Sequence, residues 1–434
     1  MDLHPKEKQA VIDEPDTLRV RFMHIRGETD ALAAGLSDAD ATVQSMPDAS
    51  PVKWHLAHVS WFFEEVILKP YLPGYQEFNQ QYPFLFNSYY DAVGPRQPRP
   101  KRGMLTRPSL DEVKQYRAYV DTHMDRLMAD GIDPAVAGLV ELGLNHEQQH
   151  QELLLTDILH LFALNPLKPA FRDPGPLAFE PGRVLAGGYT EFGGGVLEFG
   201  AGDGGGFHFD CEAPRHQQLV HGFRLANAPV TGRDWAAFIA DGGYENPLLW
   251  LSDGWAKVQA AGWHAPLYWE QRNENWWTMT LRGMQPVDMD APVCHVSYYE
   301  ADAYATWAGK RLPSEFELEL AAQDLAEQGQ AMEGNFATSG RFRPAPVYDR
   351  EDGGVAGLYG NVWQWTASSF APYRGFKPNK GVVGEYNGKF MSGQQVLRGG
   401  SCVTPGGHMR ATYRNFWHPS TRWQFTGLRL AEDI

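Results

Sequence analysis

The chain has 434 residues, a formal net charge of −15, 43% hydrophobic and 21% charged residues. That length suits two domains with a large core. The acidic balance argues against nucleic acid or an anionic membrane surface as the main partner.

No apolar run approaches the roughly 18–20 residues that a membrane span needs. The opening MDLHPKEKQ carries no charged-then-apolar secretion pattern. Cys211, Cys294 and Cys402 are odd in number and widely spaced, which suggests a reducing cytoplasm and no disulfide framework. Cytoplasmic localisation is therefore expected.

In chain order, a helix is expected over 17–36. A second starts near Ser50 and Pro51 and carries Trp54, Leu56, Ala57, Trp61, Phe62, Val66 and Leu68. A third starts at Ser109, where Ser109 and Glu112 fit a capping box. Asp133 as N-cap and Pro134 at the first helical position open a fourth. Four such helices suggest a bundle, and bundle cores are a usual place for metal sites. The connection over 70–108 is long, aromatic and basic; connections of that size are often functional.

Lys168, Pro169, Asp173, Pro174, Gly175 and Pro176 mark a boundary, giving expected domains of 1–172 and 173–434. Beyond it, glycine clusters at 193–195 and 204–206 alternate with short β-like runs. Two short helices are expected near 232–240 and 298–308.

The strongest chemical signal lies on the fourth helix. His146 and His150 are four apart, so both imidazoles project from one face and can reach one ion. The position of a third ligand decides the chemistry. The second helix offers His55 and His58. His58 sits between Ala57 and Val59, where a lone histidine is ordinarily a satisfied core residue; His55 is the competing candidate. His4, His24, His123 and His160 read as surface or helix-end residues. The string H-E-x-x-H also fits a zinc-dependent hydrolase with Glu147 as base. Its only near downstream histidine, His160, lies on a different face.

Six segments carry a resemblance along nearly the whole chain: W-H-L-A-H at 54–58, N-S-Y-Y-D-A-V-G at 87–94, H-E-Q-Q-H-Q-E-L at 146–153, G-N-V-W-Q-W-T at 360–366, L-R-G-G-S at 397–401 and Y-R-N-F at 413–416. In this order they resemble the ergothioneine-biosynthesis sulfoxide synthases, the EgtB family, which includes a selenoneine synthase (SenA) branch. The resemblance implies an α+β chain. A DinB-like four-helix bundle would carry the metal site, and a formylglycine-generating-enzyme-like, C-type-lectin-like domain would close the substrate cleft.

It further implies a non-haem iron(II) centre held by His58, His146 and His150, with O2 as co-substrate. Three neutral imidazoles leave an ion its full charge and open positions on one side. The implied reaction forms a carbon–chalcogen bond at the imidazole carbon between the two nitrogens of hercynine, an Nα-trimethylated histidine. The donor is cysteine or γ-glutamylcysteine in one branch and a selenosugar in the other, and both stay open.

Tyr89 and Tyr90 resemble tyrosines that part of the family places near the iron; a phenol can deliver a proton, or a proton with an electron. Gln149, Asn415 and Phe416 match residues that hold the trimethylated substrate, since an amide can bond an imidazole and an aromatic face suits a quaternary ammonium. Trp417 follows them with an open role. Arg96, Arg99, Lys101, Arg102 and Arg107 form a local positive patch. Arg96 and Arg102 are the candidates there for a substrate carboxylate or phosphate.

Some positions depart from the relatives' patterns. Formylglycine-generating enzymes need two reactive cysteines near the L-R-G-G-S segment, and Cys402 stands alone there. Gln97 and Cys211 stand where many sulfur-using relatives carry histidine and asparagine. Three rival classes remain at this level: a zinc hydrolase using Glu147, a non-catalytic lectin-like binding module and a thiol-dependent DinB-type transferase.

Overall fold

The computed structural model describes residues 17–129, 131–173, 183–202 and 204–434. His4, the first residues, and Pro174, Gly175 and Pro176 of the boundary motif lie outside them.

Each bundle helix begins where its sequence offers a cap. Helix α1 (Leu18–Ala33) starts at Thr17, whose side chain accepts from the Val20 N–H. Helix α2 (Val52–Phe63) starts after Pro51, and all of its residues are buried. It runs on into a π-helical turn over Glu64–Leu68. Helix α3 (Leu110–Met128) has both halves of the Ser109–Glu112 capping box. Helix α4 (Pro134–Leu164) spans 31 residues from an Asp133 cap. One short helix, Asp38–Thr42, was not expected, although Ser37 and Asp40 form its own capping box.

Phe22, Trp61, Phe62, Phe63, Tyr116, Val140 and Leu144 fill the bundle core, each with no exposed surface. Burying aromatics of this size supplies most of the drive for packing the helices. Gly143 lets α4 approach α2 closely. A Cβ there would stand 2.6 Å from the Phe63 ring, far inside van der Waals contact. The crossing at Gly143 lies one turn before His146 and brings that histidine against α2.

The 70–108 connection is not structureless. It contains a helix over Tyr82–Phe86 and a 3-10 turn over Arg99–Met104. The Asn87 amide donates to the carbonyls of Tyr90 and Gly94, both at 3.0 Å, and shapes the turn that carries the paired tyrosines.

The C-terminal part is sheet-rich, with small sheets of two to four strands among the described residues. The four-stranded sheet matters for the site. Strands β1 (Trp363–Ser369), β2 (Gln395–Arg398), β3 (Asn415–Trp417) and β4 (Thr426–Gly427) lie in the order β3-β2-β1-β4. Helices α5 (Gly232–Ala240) and α7 (Tyr298–Trp307) match the expected short helices. Helices α6 (Ser252–Ala261) and α8 (Glu315–Glu327) were not expected.

Helix α8 pins the sheet through buried ion pairs. Glu315 accepts from Arg398 of β2 at 2.9 Å and from Arg414 at 2.8 Å, immediately before β3. Buried charges of this kind need such pairing, because desolvation is costly. The result is a helical bundle followed by a mixed, sheet-rich domain, the α+β arrangement expected. No helix among the described residues is long and apolar enough to cross a membrane.

Candidate metal centre

His58 of α2 and His146 and His150 of α4 come together. One ring nitrogen from each lies within 4.8 Å of the others. Their ring centroids are 4.6–5.0 Å apart. His58 donates its Nδ1–H to the Phe86 carbonyl at 2.6 Å, which leaves Nε2 buried without a partner. Both nitrogens of His146 are likewise buried and unpartnered. A buried polar atom left so costs about 1–3 kcal/mol. Two rings with orphaned nitrogens, converging with a third from His150, fit a cation better than a dry core.

Burial holds His146 down at about 3 and keeps His58 and His150 well below the usual imidazole range. The rings are therefore neutral at pH 7, the form that ligates.

The competing candidate, His55, is not one of the three. Its Nδ1 meets His150 Nδ1 at 2.8 Å and its Nε2 meets Asp157 at 3.0 Å. His160 bonds Ser45 at 2.8 Å and His123 bonds a backbone carbonyl at 2.8 Å.

The structure contradicts the zinc-hydrolase role for Glu147. One residue on from His146, it is turned about 100° around α4, towards α1 and α3. There its carboxylate meets Arg26 at 2.9 Å and Arg117 at 3.2 Å with no exposed surface. Burial pushes its pKa up, but the two guanidiniums outweigh that and hold it below the usual carboxylate range. Doubly paired and remote from the cleft, it cannot serve as a base there.

A cleft of about 300 Å³ opens beside the histidines, lined by both halves of the chain. That is the size of a small-molecule site. Of the residues singled out from the sequence, Tyr89, Gln149, Asn415, Phe416, Trp417 and Arg102 line it, with His55, His146 and His150. Arg102 is buried, lies 3.3 Å over the Trp54 ring and donates to the Ser50 hydroxyl at 2.8 Å. Phe416 stacks on Phe370 with centroids 4.0 Å apart.

Two residues fall elsewhere. Tyr90 is fully buried behind Tyr89, their centroids 4.9 Å apart, and packs on Trp61 at 5.4 Å. Arg96 does not reach the cleft. Its guanidinium pairs with Asp91 at 2.5 Å on the outer side of the loop. The neighbouring Arg99 lines the cleft instead. The two positions expected from the resemblance to depart, Gln97 and Cys211, are also set back from the cleft lining. Gln97 bonds the Lys101 carbonyl at 3.1 Å, and Cys211 is buried where Arg414 reaches its carbonyl at 2.9 Å.

The sequence reading missed several residues around Gln149. Tyr386 donates its hydroxyl to Gln149 Oε1, and its ring lies 5.5 Å from His146. The Gln149 Nε2 donates to the Tyr413 hydroxyl at 2.7 Å, and Tyr413 in turn meets His408 at 3.1 Å. Tyr413 was within reach, as the first residue of Y-R-N-F. Tyr386 stands in an irregular loop that carries no pattern.

Glu152 was also missed. Two residues past His150 on α4, it accepts from the Trp363 indole at 2.5 Å and the Thr404 hydroxyl at 2.6 Å. It therefore ties the bundle to the sheet-rich domain.

Fold and centre together define a two-domain protein with a three-histidine, cation-ready site in a cleft closed by its second domain. Residues 184–434 match the model of the sulfatase-modifying factor enzyme 1-like domain, and residues 21–154 match that of the DinB superfamily. The hercynine oxygenase of Mycobacterium tuberculosis is 35% identical over 97% of this chain and 99% of its own length. That of Mycolicibacterium smegmatis is 35% identical over 92% of this chain and 94% of its own. Ergothioneine biosynthesis protein 1 of Schizosaccharomyces pombe is 24% identical over 52% of this chain and 28% of its own. The chain belongs to the EgtB-like hercynine oxygenase family.

Proposed function

We propose that this protein is an iron(II)- and O2-dependent enzyme that joins a chalcogen donor to hercynine at the imidazole carbon between the two nitrogens. The observation that carries the reading is the set of three converging imidazole nitrogens, with His146 and His150 lining a cleft whose far wall is Asn415, Phe416 and Trp417. In this reading residues 1–172 hold the metal and 173–434 complete the substrate site.

His58, His146 and His150 would hold the iron. When bound, it would supply one-electron chemistry with O2; with a thiol donor, the S–H, the imidazole C–H and O2 would give an S(=O)–C sulfoxide and water, which accounts for all four electrons. The protein's own groups orient the partners. Gln149, gripped by Tyr386 and Tyr413, presents a fixed amide at the acceptor side. Asn415 supplies a second amide, and Phe416 and Trp417 offer aromatic faces to the trimethylammonium group. Arg102 and Arg99 form the cationic end of the cleft and suit an anionic group of the donor.

Tyr89 lines the cleft, and Tyr386 stands against His146. Burial raises the pKa of both phenols, so both keep their protons at neutral pH and can give one up only as oxygen is reduced.

Purified protein with iron(II), air and hercynine would be offered cysteine, γ-glutamylcysteine and a selenosugar in competition, with oxygen uptake and product masses read together. One donor should dominate and give a hercynine adduct. Zinc-dependent turnover without oxygen uptake, or no adduct with any donor, would end this reading.

A further inference from the structure

His55 is the histidine that the metal centre leaves over, yet its surroundings are as specific as those of a ligand. It is 3% exposed, and both ring nitrogens are committed. Its Nε2 lies 3.0 Å from Asp157 Oδ2, and that same oxygen accepts the Ser50 N–H at 2.7 Å. Its Nδ1 lies 2.8 Å from His150 Nδ1. His150 and Asp157 are seven residues apart on α4, two turns along one face. His55 reaches across from α2 and bridges them.

The order of partners dictates where the protons sit. An oxygen that already accepts from a backbone N–H is held as an acceptor, so His55 Nε2 carries the proton between them. A neutral imidazole then has a lone pair at its other nitrogen. The short contact between the two Nδ1 atoms therefore needs its proton on His150. That leaves the lone pair of His150 on Nε2, the nitrogen free to ligate. His58 reaches the same state by a shorter route, with its Nδ1–H on a backbone carbonyl. His146 has no such partner.

We infer that Asp157 and His55 form a positioning relay that locks His150 as its Nδ1–H tautomer and aims its Nε2 lone pair at the metal. The inference rests on the metal reading of the site. A relay ending on a carboxylate makes the outer ligand more basic and fixes its ring orientation. It also explains a buried, fully bonded histidine in a helix otherwise made of core residues. His55 is a positioning residue, because it acts through His150 and not on the ion.

The test begins without metal. Protein labelled with 15N-histidine, read by long-range 1H–15N correlation, should show His150 protonated at Nδ1. The folded His55→Phe variant should lose that single tautomer. Calorimetry and visible absorption with Co(II) as the probe should show affinity falling about 10- to 100-fold in His55→Phe, the range for losing such outer partners.

In His55→Ala, added imidazole should restore Co(II) affinity, which a merely structural role would not allow. A wild-type protein that binds no Co(II) overturns the metal reading and the relay with it. A wild type that binds Co(II) but carries the His150 proton on Nε2, or binds no more tightly than folded His55→Phe, overturns the relay alone.

Discussion

On the bundle side of the cleft, one run of chemical side chains stands on a single helix, while Tyr89, Arg99 and Arg102 come from the connection over 70–108. His146, Gln149, His150 and Glu152 follow one another on α4, with His58 of α2 buried behind them. On the opposite wall Asn415, Phe416 and Trp417 stand on a three-residue strand, and Tyr386 and Tyr413 on loops. A helix places side chains by its own period, so spacing alone brings His146 and His150 to one face. A short strand or loop has no such period. Its residues are aimed by distant partners, as Glu315 of α8 aims β2 and β3 through Arg398 and Arg414. The helical wall is organised by local rules, and the other wall by tertiary contacts.

Substitutions on each wall sharpen this contrast. The largest effect is expected on the helical wall. His58→Ala removes one of three candidate ligands, so metal content and turnover should fall more than about 100-fold, beyond what loss of an outer partner costs. Metal analysis of the purified variant checks it, and full iron loading would break the three-histidine assignment.

Next comes the buried pair behind that wall. Glu147→Gln should destabilise the fold by about 3–5 kcal/mol, the cost of breaking a buried ion pair, as read by urea titration. The pH dependence has a definite sign. The folded pKa of Glu147 is depressed, so its stabilisation is present above the unfolded value and is lost as pH falls through the folded one. The wild type should lose stability on acidification over that interval, and the Gln variant should lose less.

Third, Tyr89→Phe should slow bond formation by about 100-fold, the lower end for general acid catalysis. Tyr90→Phe should change it much less, because Tyr90 lies behind the cleft lining. Rapid-quench rates for the two variants decide this, and equal losses would show that the two phenols act as one unit.

The smallest effect is expected on the loop-built wall. Asn415→Ala removes one hydrogen-bonding group worth about 1–1.5 kcal/mol. The KM for the acceptor should rise about tenfold with kcat little changed. A fall in kcat alone would place Asn415 in the chemistry instead.

The four bundle helices were legible because caps and apolar periods are written locally. Thr17, Ser109 with Glu112, and Asp133 with Pro134 all start helices as read. Helices α6 and α8 were missed in a stretch dominated by turns, although Ser314 and Glu317 form a capping box at α8. Arg96 and Arg102 looked equivalent in one basic loop. The structure separates them, because the 3-10 turn over Arg99–Met104 faces Arg102 inward onto Trp54 while Arg96 meets Asp91 outside.

By itself the amino-acid order determined the bundle, the histidine pair on one helical face and the family, since each rests on spacing within a segment or on strings that match as strings. Residue spacing left His55 and His58 open and the resemblance pointed to His58; tertiary structure engaged both ring nitrogens of His55 elsewhere, turned Glu147 onto Arg26 and Arg117, and brought Tyr386 to His146. Those outcomes depend on which groups from remote segments meet when apolar surface is buried. Once Asp157 and the Ser50 N–H engage His55, and a lone carbonyl orients His58, only His58 has a nitrogen left to offer.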